Sequence, residues 1–444
     1  MKWDRPVPRY TSYPTAPQFV AIGEDVARAR YAAFDHTDRP LSLYIHIPFC
    51  RSMCLYCACS VILNRKPEKQ SAYLALLIKE IELVAQCFRS RRSVAQLHLG
   101  GGTPTSLSEV EFEELMQSLR HYFHFESNAE ISIEIDPRTV FDDQGKKLRA
   151  LRQLGFNRVS FGVQDLDPAV QEAVRRRQSR EMTIQTLLLA RQLQFDGINV
   201  DLIYGLPLQK AETFRQTVET LMQVKPDRIA LFSYAKVPWL KQHQKAIREE
   251  DLPSAEEKLR IYTEAREEFL RSGYTAIGMD HFALQDDSIA RAYREGQLYR
   301  NFQGYSVAKA EDLIGLGVTS VGFVEGAFLQ NVKTIEEYEA RLAQNMLPIC
   351  RGFELKAEDL LRRWVIQRWM CCFLIDRAEF LQLFGKSFDQ HFANEQQAME
   401  DLIKEGLLLD DGQVLRATEQ GRIFIRLIAN AFDEYKQGLF SSAV

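Results

Sequence analysis

Residues 41–59 have the sequence Leu41-Ser-Leu-Tyr-Ile-His-Ile-Pro-Phe-Cys50-Arg-Ser-Met-Cys54-Leu-Tyr-Cys57-Ala-Cys59, an apolar, strand-like run that leads directly into a cysteine-rich loop. The loop holds half of the eight cysteines of the chain, and three of them have the spacing C-x3-C-x2-C. Three such thiolates can hold three irons of a 4Fe–4S cluster and leave the fourth iron open, whereas a cluster that only transfers electrons usually takes four Cys ligands. The spacing therefore predicts a cluster at which a small molecule binds.

Two other interpretations of this loop compete with the cluster. A structural zinc site usually needs a second ligand pair at a distance, and the thiols could instead be reactive or merely buried. The local pattern favours iron–sulfur over both. The remaining cysteines, Cys87, Cys350, Cys371 and Cys372, show no pairing pattern and are interpreted as buried fillers. A reducing compartment suits an exposed cluster loop.

Outward from this loop, short apolar or β-branched runs alternate with longer amphipathic stretches. Strands are predicted over 41–48, 95–99, 130–135, 158–163, 198–204 and 228–234. Helices are predicted over 66–88, 107–123, 143–154, 168–194 (broken around 178–181), 210–223 and 254–271. Six such repeats predict an α/β fold, with a parallel sheet curled as an open barrel. The site is then expected at the carboxyl ends of the strands.

The pattern changes beyond residue 352. Amphipathic helices are predicted over 354–374 and 380–405, then a small hairpin around 406–416 and a final helix over 417–436. We therefore predict two domains, a catalytic domain over 1–352 and a mainly helical domain over 353–444. The second domain resembles a winged helix, but it carries no basic excess on a predicted recognition helix. A role in DNA binding is not favoured.

Composition limits the functional class. The chain has 444 residues, of which 46% are hydrophobic, and a net charge of −4. Its Lys and Arg residues are dispersed, which argues against nucleic acid because backbone binding requires a concentrated basic surface. The start has no apolar signal region, and no stretch reaches the roughly 20 apolar residues of a membrane span. We expect a cytoplasmic protein with no membrane partner, and a monomer, since no exposed apolar repeat marks an interface.

The cysteine spacing after a buried strand resembles the radical S-adenosylmethionine (SAM) superfamily, and further motifs narrow the likeness. In chain order they are Arg9-Tyr-Thr-Ser-Tyr-Pro-Thr-Ala16, Tyr44-Ile-His-Ile-Pro-Phe-Cys50, the C-x-C that ends at Cys59, Gly100-Gly-Gly-Thr-Pro-Thr105, Glu134-Ile-Asp-Pro137, Gly162-Val-Gln-Asp165, Asp201-Leu-Ile-Tyr-Gly-Leu-Pro207, Gly278-Met-Asp-His-Phe282 and Arg300-Asn-Phe-Gln-Gly-Tyr305. Over nearly the whole chain the sequence resembles the oxygen-independent coproporphyrinogen III oxidase (coproporphyrinogen dehydrogenase) family. The resemblance implies a partial (β/α)6 radical SAM barrel, with the C-terminal domain as a lid over its mouth.

The resemblance also implies the cofactors and the residues that bind them. The cluster ligands would be Cys50, Cys54 and Cys57, and SAM would chelate the open iron and yield a 5'-deoxyadenosyl radical. One or two SAM molecules would contact the positions that match the family, which are Tyr44, Tyr56, Gly101, Gly102, Thr103, Glu134, Gln164, Arg176, Asp201, Ala235 and Val321. Cys59 is assigned a catalytic role near the substrate rather than iron ligation. The alternative interpretation is that Cys59 is a thiol that only packs against its neighbours.

Two of these features also follow from the residues themselves. The glycines at 100–102 let backbone approach a ligand without interference from Cβ, although any tight turn from strand to helix would use them. Glu134 and Asp201 are carboxylates in otherwise apolar strands, which is costly unless each has a partner. Ligand contact is favoured, and the structural alternative is an ion pair with Arg176 or a lysine.

The implied reaction removes a hydrogen from the propionate β-carbon of coproporphyrinogen III and then carbon dioxide, on two propionates. It requires a reducing electron donor, flavodoxin- or ferredoxin-like, and an external electron acceptor. A tetrapyrrole with several carboxylates needs cationic or hydroxyl partners, which the segment 9–13 supplies, together with Asp280, His281 and Arg300. The same segment could equally be a surface arm that packs on the barrel.

Three other functions stay open at this point. A related haem chaperone shares the cluster and barrel, but it typically has an apolar or aromatic residue in place of Cys59 and lacks the start Arg9-Tyr-Thr-Ser-Tyr-Pro14. Other radical SAM enzymes that act on tetrapyrroles are separated less cleanly. A paralogue that holds haem or a cluster without turnover is disfavoured, because Glu134, Gln164, Arg176 and Asp201 are all present.

Overall fold

The computed structural model describes residues 3, 5–35, 39–141, 145–307 and 310–436. Its first ten strands are β1 (Val20–Ala21), β2 (Leu41–Ile47), β3 (Phe49–Cys50), β4 (Ile62–Leu63), β5 (Ser93–Gly101), β6 (His124–Ile135), β7 (Arg158–Gln164), β8 (Gly197–Tyr204), β9 (Arg228–Ser233) and β10 (Tyr274–Ile277). They are followed by β11 (His281–Leu284), β12 (Tyr299–Asn301), β13 (Gly304–Ser306), β14 (Leu313–Leu316), β15 (Val321–Val324), β16 (Ala327–Asn331), β17 (Ile349–Glu354), β18 (Leu374–Asp376), β19 (Leu408–Asp410) and β20 (Val414–Ala417).

The α-helices alternate with these strands in the first part of the chain and dominate the last part. They are α1 (Glu24–Phe34), α2 (Pro67–Ala85), α3 (Glu109–Tyr122), α4 (Lys146–Gln153), α5 (Pro168–Ala173), α6 (Arg180–Gln192), α7 (Ala211–Val224), α8 (Ala255–Arg271), α9 (Ser288–Arg294), α10 (Ile335–Ala343), α11 (Ala357–Cys372), α12 (Arg377–Phe384), α13 (Phe388–His391), α14 (Gln396–Lys404), α15 (Glu419–Ile423) and α16 (Ile425–Ala431). None of the helices in the described part of the chain is both long and apolar enough to cross a membrane.

The barrel consists of the six predicted parallel strands. β2, β5, β6, β7, β8 and β9 pair in that order, each parallel to the next. A helix follows each strand and returns the chain, as parallel pairing requires. The predicted α/β fold with a partial (β/α)6 barrel is therefore confirmed. Residues 143 and 144 of the predicted helix 143–154 lie outside the described residues.

The predicted break near residues 178–181 is present and has a local cause. α5 ends at Ala173, and α6 begins after Ser179, whose hydroxyl accepts a hydrogen bond from the Met182 backbone N–H at 3.1 Å. Such a cap satisfies an otherwise unpaired amide of the first helical turn. The interruption brings Arg176 to the barrel mouth instead of leaving it on a helix surface.

The sheet extends beyond the barrel on both edges, which the sequence analysis did not predict. β11 and β10 add antiparallel strands beside β9. On the other edge β14 pairs parallel to β2, and β15, β16, β17 and β1 continue the sheet. Within the described residues, thirteen strands thus form one continuous sheet.

Polar side chains alternate with apolar ones along the barrel strands and face its interior. In β7, Val159, Phe161 and Val163 are buried, whereas Ser160 and Gln164 are half-buried. β8 has the same alternation around Asp201. Because successive side chains of a strand point to opposite faces, the apolar set packs under the helices and the polar set lines the inside. The interior is therefore a polar chamber rather than a packed core.

The C-terminal region is mainly helical, as predicted, but two predicted helices are wrong. The helix over 380–405 is divided, because Gly385 adopts a left-handed conformation (φ 65°) that ends α12, and α13 and α14 follow separately. The helix over 417–436 is the pair α15 and α16, which ends at Ala431. β18, which was not predicted, joins the predicted hairpin β19–β20 in a small sheet. Residues 437–444 of the predicted second domain lie outside the described residues, and the boundary at 352 stays a prediction.

Candidate active site

The cysteine loop is held rigidly at the carboxyl end of β2. The backbone N–H of Leu55 donates to the Val174 oxygen at 2.9 Å, in the break between α5 and α6. The 3-10 helix Gln242–Ala246 holds the other side, where Gln244 donates to the Tyr56 oxygen at 3.0 Å and a ring nitrogen of His243 contacts the Cys57 oxygen at 2.8 Å. The three spaced cysteines are thus fixed by backbone contacts and leave their thiols for a ligand.

Cys59 differs from these three cysteines in its hydrogen bonding. The Cys59 thiol donates to Cys57, and this bond lowers the pKa of Cys57 to about 7 while raising the pKa of Cys59. Lys241 Nζ lies 2.7 Å from the Cys59 backbone oxygen. The contact therefore favours the thiolate form at Cys57 over Cys59.

Three consecutive glycines form the turn after β5 because their neighbours leave no room for side chains. A Cβ on Gly102 would lie 2.6 Å from the Pro48 backbone oxygen, and one on Gly100 would lie 3.0 Å from Glu134 Oε1. Gly101 has φ 120° and donates its backbone N–H to Glu134 Oε2 at 3.1 Å. The turn therefore packs directly against the cysteine strand and the carboxylate.

Glu134 and Asp201 do not form the ion pair with Arg176 that was the structural alternative. Glu134 Oε1 lies 3.5 Å from His98 Nε2, and 43% of the Glu134 side chain is exposed in the cavity. Asp201 accepts hydrogen bonds from Ser160 at 3.1 Å and from Asn199 at 2.7 Å. In the described residues neither carboxylate pairs with Arg or Lys, so Glu134 keeps acceptor capacity for a ligand.

Arg176 pairs instead with Asp136, which the sequence analysis quoted in a motif but did not assign. The Nη1 atom of Arg176 lies 3.2 Å from Asp136 Oδ2 and 3.7 Å from the Cys54 sulfur. Arg138 binds the same carboxylate at 2.6 Å. Although burial alone would raise it, these two arginines lower the pKa of Asp136 to about 2. The signal available in the sequence was a second carboxylate placed directly after the end of β6.

These side chains surround one cavity of about 510 Å³ at the mouth of the barrel. Its lining includes Cys50, Cys54, Tyr56, Cys57, Cys59, Gly101, Gly102, Thr103, Glu134, Gln164, Arg176, Asp201 and Ala235, all of them predicted site residues. The Nε atom of Arg176 is buried there without a hydrogen-bond partner. Three thiols, a partly exposed carboxylate and a guanidinium with one unpaired N–H fit a cluster beside an amino-acid-containing ligand.

Two predicted SAM contacts are not among the residues that line this cavity. Tyr44 stands behind the glycine turn, where its hydroxyl lies 3.0 Å from His46 Nδ1 and its ring stacks on His98. Val321 lies in β15 and packs against Phe19, Phe323 and Phe328. The structure therefore brings the other predicted residues together and leaves Val321 on the outer part of the sheet.

A second chamber of about 290 Å³ lies deeper in the barrel and shares part of its wall with the cavity. Arg9, Glu134, Ser160, Asp201 and Phe232 line both spaces. The rest of its lining is mostly polar and comes from the first halves of the barrel strands and from the segment 300–306. The two spaces are therefore adjacent compartments of one barrel interior.

The N-terminal segment 9–13 combines the two interpretations that its sequence left open. The Tyr10 hydroxyl donates to Asp433 at 2.9 Å, and the Tyr13 hydroxyl accepts from the Glu434 backbone N–H at 3.2 Å. These tyrosines pack against the C-terminal region. Arg9 and Thr11 line the chamber. The segment is both a packing arm and a wall of the barrel interior.

A three-thiol loop after the first strand of a partial parallel barrel, above such a cavity, defines a radical SAM enzyme. Residues 44–221 match the radical SAM superfamily, and residues 355–424 match the HemN C-terminal domain. The chain is 43% identical to the oxygen-independent coproporphyrinogen III oxidase of Synechocystis sp., over 100% of this chain and 97% of that protein. It is 41% identical to the Escherichia coli protein of the same name, over 98% of this chain and 94% of that protein. The chain belongs to the oxygen-independent coproporphyrinogen III oxidase family.

A solved structure agrees with this assignment. The structure of Escherichia coli coproporphyrinogen III oxidase, described as a radical SAM enzyme, superposes with a TM-score of 0.92 at 41% identity and covers 96% of this chain and 97% of that one. The cofactors of this chain are therefore a 4Fe–4S cluster and SAM. The zinc interpretation of the cysteine loop is superseded.

Asp201 provides a prediction about pH. Burial, together with the nearby Glu134 charge, raises the pKa of Asp201 to about 6 from a usual value of 3.8. A carboxyl whose folded pKa is raised favours the folded state at low pH and loses that contribution as the pH rises through the folded value. Asp201→Asn should therefore stabilise the metal-free protein at pH 8, by about 1–2 kcal/mol after allowance for solvent in the cavity.

The measurement for this prediction is thermal unfolding of both proteins between pH 4 and pH 8. The gain should be small near pH 4, grow towards pH 6 and level off above it. The Asn oxygen can accept the hydrogen bond from Asn199, and its amide nitrogen can donate to the Ser160 hydroxyl in place of accepting from it, so packing should not change. A stability difference that is independent of pH would contradict the role of burial.

Proposed function

We propose that this chain converts coproporphyrinogen III to protoporphyrinogen IX by oxygen-independent oxidative decarboxylation, a step of haem biosynthesis. The observation that carries the proposal is a cavity lined by three thiols and the SAM-type residues, which continues into a polar chamber inside the barrel. Full-length relatives with the corresponding name support it. A tetrapyrrole with several carboxylates suits a polar interior better than an apolar one.

The chain would hold its cofactors with the residues that line the cavity. Cys50, Cys54 and Cys57 would bind the cluster, and Arg176 and Arg138 lie close enough to Cys54 to stabilise its negative charge. Bound together, the cluster and SAM supply a one-electron route to hydrogen abstraction. Glu134 supplies an acceptor for the polar groups of SAM, and the glycine turn lets backbone contact the ligand directly.

In the proposed reaction, each of two propionate side chains becomes a vinyl group. The propionate loses one hydrogen atom from its β-carbon, then carbon dioxide and one electron. Because that electron must leave, the reaction requires an external acceptor, and cluster reduction requires a flavodoxin- or ferredoxin-like donor. Cys59, which lines the cavity beside the three ligand cysteines, is proposed as the catalytic thiol near the substrate.

The cellular setting is part of the same proposal. All eight cysteines are free thiols in the structure, which suits a reducing compartment such as the cytoplasm. We propose a monomer, without nucleic acid or membrane partners.

The test is an anaerobic assay of the reconstituted protein with SAM, a reductant, an electron acceptor and coproporphyrinogen III. The products are followed by chromatography and mass spectrometry. Protoporphyrinogen IX, formed through an intermediate that has lost one carbon dioxide, is the expected result, together with 5'-deoxyadenosine. Formation of 5'-deoxyadenosine without decarboxylation would contradict the proposed substrate, and haem titration would then test the haem-chaperone alternative.

A further inference from the structure

Several charged side chains around the inner chamber have a polar or charged partner. Arg158 pairs with Glu130 at 2.7 Å and with Asp287, which also binds Arg228 at 2.8 Å. Asp280 Oδ1 lies 2.6 Å from a ring nitrogen of its neighbour His281. These contacts give Arg158 and Arg228 carboxylate partners at the chamber wall.

Arg9 and Arg300 are the two chamber arginines that lack such a pair in the described residues. Within the described residues neither guanidinium forms an ion pair with a carboxylate, and the Nε atom of each is buried without a hydrogen-bond partner. Arg9 donates to the Ser233 backbone oxygen at 2.6 Å, and Arg300 donates to the Arg9 backbone oxygen at 3.0 Å. Arg300 is only 7% exposed and lies over the Tyr305 ring. A buried cation without a counter-ion is costly, so its presence favours an anionic ligand.

The surrounding charges strengthen this imbalance. Asp280 interacts with the charges of both arginines, but His281 also binds it. Burial lowers the pKa of Arg9, and the neighbouring Arg300 lowers it further. Arg426 lines a small pocket together with Arg9 and Asp280. Arg9 and Arg300 therefore share the influence of one carboxylate, Asp280, with which neither forms an ion pair in the described residues.

We infer that Arg9 and Arg300 form a carboxylate-binding site that holds one propionate of the substrate while another propionate reaches the cavity. A guanidinium can bind a carboxylate through two parallel hydrogen bonds, which fixes orientation as well as charge. Arg9 lines both the chamber and the cavity. Arg300 lines the chamber but not the cavity. A propionate held between them would lie at the junction of the two spaces, on the side of Arg300, so the pair positions the tetrapyrrole. The inference rests on the proposed substrate.

The test compares a tetra-acid with its uncharged ester. Coproporphyrin III, the oxidised form of the substrate, and its tetramethyl ester are titrated into the reconstituted protein with SAM bound, and binding is followed by fluorescence. Arg300→Gln and Arg9→Gln should weaken binding of the acid on the order of tenfold or more and leave binding of the ester unchanged. Arg300→Lys, which keeps the charge without the planar fork, should give an intermediate loss.

Arg363→Gln is the matched control. Arg363 lies close to the same region, donates to the Tyr299 hydroxyl at 2.9 Å and packs over the Phe323 ring, but does not line the chamber. This variant should bind both porphyrins as the parent protein does. The affinity for SAM and the cluster absorbance of every variant should match those of the parent protein, because the cluster ligands and Glu134 are unchanged.

Three results would overturn the inference. Unchanged binding of the acid by both Gln variants would remove the arginines from the site. Equal loss for the acid and the ester would show a structural role, since the ester carries no charge to recognise. A loss of SAM affinity with porphyrin binding intact would assign the pair to the carboxylate of SAM. Failure of the proposed function itself would appear in the parent protein, as absence of decarboxylation.

Discussion

Cys54→Ala should abolish both cluster assembly and activity. Cys54 is the middle residue of the three-cysteine pattern, and its sulfur lies 3.7 Å from Arg176 Nη1. Only two cysteine ligands would remain, so the protein could no longer bind one of the three irons that it holds in the cluster. Iron and sulfide content after anaerobic reconstitution, together with visible absorbance, measures the effect directly. We expect near-complete loss of cluster and no detectable 5'-deoxyadenosine.

Cys59→Ala is the matched comparison because it lies in the same loop. Its thiol donates a hydrogen bond to Cys57, so the variant removes a neighbour of the cluster but no ligand. The cluster absorbance should remain and decarboxylation should fall. Cys87→Ala, at the end of α2 and outside the cavity, should change neither quantity. Loss of iron from Cys59→Ala would refute the division of roles within the loop.

Glu134→Ala should weaken SAM binding while the cluster stays intact. The side chain accepts the Gly101 N–H, and its exposed part faces the cavity without an Arg or Lys partner in the described structure. Loss of a hydrogen bond to a charged group costs about 1.5–3 kcal/mol, which corresponds to roughly a tenfold to hundredfold increase in the dissociation constant. Equilibrium titration of the reconstituted protein with SAM measures this change in the dissociation constant.

The control for this variant is Glu126→Ala in the same strand. Glu126 contacts Ser93 at 3.0 Å at the opposite end of β6, far from the cysteine loop. It should leave SAM affinity and cluster content unchanged. If Glu134→Ala binds SAM as tightly as the parent protein, Glu134 is not part of the SAM site.

The barrel was predictable because its signals are local and repeated. Each barrel strand is a long apolar or alternating run, and each is followed by an amphipathic helix. The strands between Tyr274 and Glu354 were missed because most have only three to five residues, too few for a periodic pattern. The divided helix over 380–405 was missed because apolar residues continue across Gly385, whose left-handed conformation ends the turn.

The site was predictable where a motif follows a parallel strand, since the ends of such strands meet at one edge. Which side chains pair with each other within the site could not be predicted from the sequence. Nothing local indicates that Arg176 binds Asp136 rather than Glu134, because both carboxylates belong to one short motif. The position of Arg9 depends on contacts with residues more than two hundred positions away, which no periodicity records.

The arm described above also has a consequence for the order of folding. Tyr10 contacts Asp433, and Arg426 donates to the Pro8 oxygen at 3.0 Å, so these contacts join residues more than four hundred positions apart. Closing so long a loop costs more entropy than pairing neighbouring strands, and such contacts tend to form late. On a ribosome, the barrel can pair its strands and expose the cysteine loop well before residue 433 has been synthesised. The wall that contains Arg9 is then completed last, so a chain still being made can acquire its cluster site before it has a finished chamber for the substrate.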